Sequence, residues 1–472
     1  MAFASDLARW SSTLRADDIP DDVRYATRLR LLDIIGLSLA GAVTPLGRST
    51  RQAAVALSPP GPCTIAGTGD RVAVSQAALA NGTFSQALEF DDTHNESIVH
   101  MSSPAVASAL ALAETTRVSG RDLITAIAIG NEISCRTGSV GSGQFHKRGF
   151  HPTGLFGAFG AAYQSSRLIG LDAEATARAA GICGSFAAGI LECWVDGTDT
   201  KFLHAGWAAQ SGIAAAYLAR AGATGAIEVF EGRFGFFASH LQQPDPAPKF
   251  GRLVEGLGTH WESRNASFKP FPSAHVIHPY IDAVLRLRRE HDLTPSDIAR
   301  VDCPVTGFIV GIVCEPIEEK VTPATRSHCR VSLQYTLAEA LWRGALGRDA
   351  HGDEYRTNAD VLALARRVHY HVDPDYPGPG RFKGAARITM QDGRVFETVE
   401  EYNRGSRENP MSDADLRAKF EDNASAFLDA AQRARLADTI ARIESLEDAS
   451  DLAPLFVGRA VPAEAGPRKI TE

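Results

Sequence analysis

The sequence has no CxxC pair, no block of Lys and Arg, and no apolar run long enough to cross a bilayer, and each absence removes a class of function. Its seven cysteines, at 63, 135, 183, 193, 303, 314 and 329, are odd in number and scattered. Neither a disulfide framework nor a zinc knuckle is expected from them, and a reducing, cytoplasmic setting fits best. No stretch approaches the roughly 18 apolar residues of a membrane span, and Met1 to Trp10 lacks the basic start and apolar core of a targeting signal. No membrane association is expected. With 48 basic against 56 acidic residues and a formal net charge of −8, the chain carries no electrostatic footprint for nucleic acid. Any anion it binds must be captured locally. Also missing are HExxH, an EF-hand loop, a full P-loop or GxGxxG context and a nucleophile elbow. These absences argue against a catalytic metal, a bound nucleotide and a Ser or Cys nucleophile.

What is present is enough chain for two domains: 472 residues, 44% of them hydrophobic, exceed what one core usually organises. From residue 20 to about 240, apolar residues recur at helical spacing, as in Val23, Thr27, Leu31, Ile34 and Ile35. Small residues such as Gly36, Ser38, Ala40 and Gly41, or Gly154, Gly157, Ala158 and Gly160, allow close helix approach, which predicts buried central helices. After the Pro-containing stretch Lys269 to Pro279 the character changes. A helix over 279–291 is followed by a strand over 299–310, where Val301, Cys303 and Val305 alternate, and by strands over 367–372 and 386–399. Asp392-Gly393 interrupts the last as a hairpin turn. Beyond Pro410 the pattern is helical again, with Ser412 as N-cap of a helix running through Phe420. The predicted fold is mainly α with a smaller α+β domain: a helical domain over 1–265, an α+β lid domain over 266–405, and C-terminal helices over 406–472 that return to the helical domain. Residues 460–472 are expected to be a mobile terminus.

Four segments concentrate acid/base groups. The densest runs from Glu89 through Asp91, Asp92, Thr93 and His94 to His100. An imidazole beside a carboxylate is what proton transfer near neutral pH requires, although Asp92 and Thr93 would also serve as helix caps. His151 precedes Pro152 at a helix start, where free N–H groups meet anions. Lys201 and His204 stand three apart at the opening of another helix. His275 and His278, in Lys269 to His278, lie at the junction between the domains, where ligand clefts form.

Taken in order, these segments resemble the MmgE/PrpD family, which includes 2-methylcitrate dehydratases, cis-aconitate decarboxylases and iminodisuccinate epimerases. The resemblance rests on Leu32-Asp33-Ile34-Ile35-Gly36, Phe90-Asp91-Asp92-Thr93, Gly149-Phe150-His151-Pro152-Thr153, Lys201 to His204 and Lys269-Pro270-Phe271-Pro272-Ser273. Val331 to Tyr335, Pro410-Met411 and Lys419-Phe420 add to it. It implies a homodimer acting on a small polycarboxylate without metal or organic cofactor. The family's site would fall on Glu89, Thr93, His100, His151, Lys201 and His275. Position 89 is Glu where decarboxylases of the family look to carry Asp, and the Thr93 to His100 interval is one residue longer.

The expected chemistry is proton transfer next to a carboxylate. His100, Lys201, His151, Asp91 and Asp92 are the catalytic candidates. Glu89, Thr93, His94, His204, His275 and His278 are the substrate-binding candidates. A 2-methylcitrate dehydratase-like hydro-lyase is the first expectation. A cis-aconitate-type decarboxylase or an epimerase of a dicarboxylate such as iminodisuccinate is the alternative. From other classes, a metal-dependent hydrolase or a catalytically silent binding protein would also fit parts of the pattern.

Overall fold

From Leu31 to Ala42 every residue of helix α1 (Asp21–Ala42) is buried, as the small residues on all its faces require. A helix apolar all round belongs in the middle of a bundle. Against it pack α2 (Val74–Gln86), α3 (Ser102–Thr116) and α4 (Gly120–Ser139), and beyond them α5 (Pro152–Leu168) and α6 (Thr200–Arg220) pack on each other, α5 also on α3 and α4 and α6 also on α2 and α3. Gly82 of α2 and Gly206 of α6 bring two backbones into contact: a Cβ on Gly82 would lie 2.8 Å from the Gly206 Cα. That approach fixes the first turn of α6, which carries Lys201, against the end of α2, which leads into Glu89. The computed structural model describes residues 2–378 and 380–459. The stretch 460–472, expected to be mobile, lies outside the described residues.

The chain is mainly helical with a smaller α+β part. That part is built from α7 (His278–Glu290) and α8 (Leu333–Arg343) on a four-stranded mixed sheet. Two short strands precede it, β1 (Thr93–His94) and β2 (Ala266–Ser267), which pair antiparallel. The sheet strands are β3 (Ile298–Val305), β4 (Val368–Val372), β5 (Gly384–Met390) and β6 (Val395–Glu400), in the order β4-β3-β5-β6. Only β3 and β4 run parallel. Its core draws on residues from Phe271 to Met390 and is separate from those of the helices.

One expectation needs correction. The strand placed over 299–310 ends at Val305, and residues 307–314 form one α turn and one π turn. Ile309, Val313 and Cys314 are the buried residues there, and their i, i+4, i+5 spacing is helical rather than alternating. The unbroken run Phe308 to Cys314 fits either period when read alone.

After the sheet the chain returns to the helices through α9 (Asp413–Ala424) and α10 (Ala430–Ala441). Ser412 caps α9 in a reciprocal box with Asp415, satisfying N–H groups left free at the first turn. Lys419 on α9 donates to Asp33 Oδ2 at 2.9 Å and to the Phe90 carbonyl at 2.8 Å. Burial raises the Asp33 carboxyl to about 6 against the pull of Lys419. The returning helix thus fastens the backbone between Glu89 and Asp91. No single helix among the described residues is long and apolar enough to cross a membrane.

Candidate functional site

Glu89 takes φ of 56°, a left-handed conformation that costs a side chain with a Cβ about 1 to 3 kcal/mol. The turn drives its carboxylate inward. Lys269 Nζ donates to Glu89 Oε1 and to the Glu89 carbonyl, both at 3.0 Å, and Lys201 Nζ pairs with Oε2. Pairing of Thr93 with Ser267 across β1 and β2 is what sets Lys269, two residues on, beside this turn. Burial opposes the Glu89 charge, yet Lys201, Lys269 and His100 hold its carboxyl well below the usual carboxylate range.

His100 lies between two carboxylates. Its Nδ1 is 3.1 Å from Asp91 Oδ1 and its Nε2 is 3.6 Å from Glu89 Oε1. Asp91 is aimed by Ser103, whose hydroxyl donates to Oδ2 at 2.7 Å, and His100 N–H donates to Thr153 Oγ1 at 3.0 Å. Burial works against the charge of Asp91, but His100 and Lys269 keep its carboxyl below its ordinary value. With Asp91 on one ring nitrogen, Nε2 is the atom of His100 left for proton exchange.

Two further histidines face the same space. His151 stands at the N-cap position of α5 without a side-chain capping bond, and Pro152 takes the first helical position. Its Nδ1 lies 2.9 Å from His204 Nδ1, and its Nε2 has no partner. His275, on a 3-10 turn ahead of α7, has Nε2 2.9 Å from Asn403 Nδ2 and an unpartnered Nδ1. Glu89, Thr93, His100, His151, Lys201, Lys269 and His275 line one cavity, and Phe308, Ile312 and Phe382 of the α+β part contribute to its wall. Two ammonium groups, four imidazoles counting His146, the Glu89 carboxylate and a hydroxyl converge on a largely apolar-walled space. Such a set can bind carboxylates and move a proton while excluding water. Among the described residues no three His, Cys, Asp or Glu side chains converge as metal ligands.

Not every expected residue reaches the cavity. Asp92, expected to be catalytic, does not line the cavity and is held as a fastener: Arg30 Nε donates to it at 2.8 Å and Ser102 Oγ at 2.6 Å. His94, strand-paired on β1, turns its Nδ1 to Ser97 Oγ at 2.7 Å and its Nε2 toward Glu262 at 3.6 Å. Period-two alternation along β1 sends Thr93 to the cavity and His94 away from it. His278 places Nε2 3.1 Å from the Ser273 carbonyl at the start of α7, and His204 touches the site only through His151. These three, expected to bind substrate, do not line the cavity.

Lys269, Asn403, His146 and Trp194 were not among the candidates. His146 and Trp194 line the cavity, and burial followed by Lys201 lowers the His146 imidazole to about 4. In the Lys269 segment the histidines draw attention by their chemistry, yet the lysine directly before Pro-Phe-Pro at a domain junction is the signal for the residue that reaches Glu89.

The buried imidazoles make a pH prediction. Burial, as the leading cause, pushes His151, His275 and His278 well below their usual range. The unfolded chain protonates them near pH 6.5 while the native chain does not, so the stability they permit is full above that value and falls as pH drops through it. Each adds a slope of about 1.4 kcal/mol per pH unit once the unfolded imidazole is protonated. Urea unfolding between pH 7.5 and 5.5 should show a steep loss of stability, and a flat profile would contradict the neutral buried state.

Models of known families match almost the whole chain: the MmgE/PrpD N-terminal domain over residues 5–249 and the MmgE/PrpD C-terminal domain over residues 271–445. The chain belongs to the MmgE/PrpD family. Among curated relatives it is 29% identical to the cis-aconitate decarboxylase-like protein oryM of Aspergillus oryzae, over 96% of this chain and 97% of that one. It is 27% identical to a cis-aconitate decarboxylase of Aspergillus terreus, over 96% and 95%. It is 28% identical to the Homo sapiens cis-aconitate decarboxylase, over 96% and 94%. These likenesses support an MmgE/PrpD lyase of the dehydratase or decarboxylase type.

Proposed function

We propose that this protein is a lyase acting on a small polycarboxylic acid by proton transfer next to a carboxylate, with decarboxylation of a cis-aconitate-like tricarboxylate as its reaction. The observation that carries the reading is the His100 imidazole, set between Asp91 and Glu89 and facing a cavity that also presents Lys201, Lys269, His151 and His275. The lysines and the two outer histidines hold carboxylates. In the reaction, the carboxymethyl arm loses CO2 and its electron pair enters the neighbouring double bond. That double bond shifts toward the arm, and His100 Nε2 delivers one proton to the former vinylic carbon. One proton enters and one CO2 leaves. Negative charge developing on carbon meets fixed cations in a water-poor space, where they act most strongly. Side chains fill every role, so the proposal includes no cofactor.

Dehydration of a 2-methylcitrate-like hydroxy acid stood first on the sequence alone. Similarity to cis-aconitate decarboxylases along nearly the full length of each chain favours decarboxylation instead. A homodimeric assembly in the cytoplasm belongs to the same proposal, and light scattering on the purified protein checks the dimer.

Proton NMR in D2O with cis-aconitate, citrate, 2-methylcitrate and iminodisuccinate separates the outcomes. The reading expects a decarboxylated product from the unsaturated tricarboxylate, unaffected by prior chelation. Water loss from a hydroxy acid without CO2 release would move the protein to the dehydratases, and no reaction with any of the four would sink the proposal for these substrates.

A further inference from the structure

Resting on the reading of this cavity as the active site, we propose that Asn403 is a positioning residue that fixes the tautomer of His275. His275 then presents an Nδ1–H donor to a substrate oxygen. The carboxamide nitrogen of Asn403 sits 2.9 Å from His275 Nε2, and an amide nitrogen only donates. His275 Nε2 is therefore the acceptor, and in the neutral ring the proton stands on Nδ1, the nitrogen without a protein partner. Burial, with His278 and Lys269 next in effect, keeps the ring neutral.

The orientation of Asn403 is set from behind. Its Oδ1 accepts from Asn95 Nδ2 at 3.4 Å, and Asn95 Oδ1 accepts from the Ser267 hydroxyl at 3.0 Å. Asn403 is 1% and Asn95 7% exposed, so no solvent competes for these bonds. The backbone N–H of Asn403 donates to the Phe382 carbonyl at 3.1 Å, and the Phe382 ring packs on His275 at 5.3 Å. Asn95 follows β1 and Ser267 lies on β2, in the small strand pair beside the helical domain, while Asn403 follows β6. The relay therefore crosses the seam that the cavity occupies, and the His275 donor is set only when both halves are in register.

The consequence is a division of labour between two imidazoles. The carboxylate beside His100 Nδ1 favours a proton there and leaves Nε2 toward the cavity. Asn403 does the opposite at His275, where Nδ1 faces the cavity. One ring offers the nitrogen that exchanges a proton, and the other offers a fixed N–H. A neutral donor binds a carboxylate or the developing enolate-like oxygen without bringing in another charge.

Nitrogen-15 NMR of histidine-labelled protein without ligand tests this directly, with His275 assigned by its loss in His275→Gln. The expected result is a protonated Nδ1 and an unprotonated Nε2. Asn403→Asp, which offers only acceptors when ionised, should move the proton to Nε2 or protonate the ring fully. It should also lower kcat/KM about 10²-fold. Asn403→Gln, retaining the amide, should recover part of that loss. If Asn403→Asp fails to fold, Asn95→Leu serves: freed from its fixing bond, Asn403 turns and His275 shows a mixture of tautomers. A native ring protonated on Nε2, or a tautomer unmoved by either variant, would overturn the proposal. Because the spectrum is recorded without substrate, a failure of the polycarboxylate reading leaves its outcome separately readable.

Discussion

Replacing His100 with alanine lowers kcat on the responsive polycarboxylate by about 10²- to 10⁴-fold, the range that positioned acid/base groups contribute, and changes KM by only a few-fold. The expectation follows from position. His100 lies between Asp91 and Glu89, whereas the proposed carboxylate clamps Lys201, Lys269, His151 and His275 are left in place by the substitution. Lys201→Ala should give the opposite pattern, a larger rise in KM than fall in kcat, because it removes one clamp from several. Steady-state kinetics of the two variants decide the roles: raised KM with unchanged kcat in His100→Ala would make that residue a binding group and return the proton to another histidine.

Glu89→Gln lowers the free energy of unfolding by about 3 to 5 kcal/mol, the cost typical of removing one partner from a buried ion pair. The neutral amide leaves Lys201 and Lys269 buried together, and neither has another carboxylate in an ion pair among the described residues. Glu89→Asp keeps the charge on a shorter arm and should destabilise less. The double variant Glu89→Gln, Lys269→Met should lose less than the sum of its single changes, because the partner left uncompensated is removed too. Urea denaturation of the parent, the three single variants and the double variant reads these values. A Glu89→Gln protein as stable as the parent would mean that the lysines find other compensation, and that Glu89 is not the centre of the cluster.

The sequence showed the helical half because its signal is redundant: period 3.6, small residues on several faces and a good N-cap at Ser412 all agree. The sheet was readable where Val301, Cys303 and Val305 alternate, and failed at Phe308 to Cys314, where a continuous apolar run has no period to read. At the site, local clustering located the Glu89 to His100 segment. It did not distinguish Asp91, which meets His100, from Asp92, which meets Arg30, since adjacent residues point apart according to the local backbone. It also missed Asn403, which reaches His275 from 128 positions away and carries no charge or motif to mark it. Lys269 was within reach, for a lysine two residues after a strand paired to the acid segment must end near that segment once the pairing is known.

The central claim is that a side-chain imidazole moves one solvent-derived proton onto a polycarboxylate carbon as CO2 leaves. Turnover of cis-aconitate in D2O, with CO2 and product deuterium counted together by mass spectrometry, tests it most directly. The account predicts one CO2 per product molecule and one deuterium bound to carbon next to a carboxylate, with both signals lost in parallel in His100→Ala. A product free of carbon-bound deuterium, or formation undiminished in His100→Ala, would contradict it.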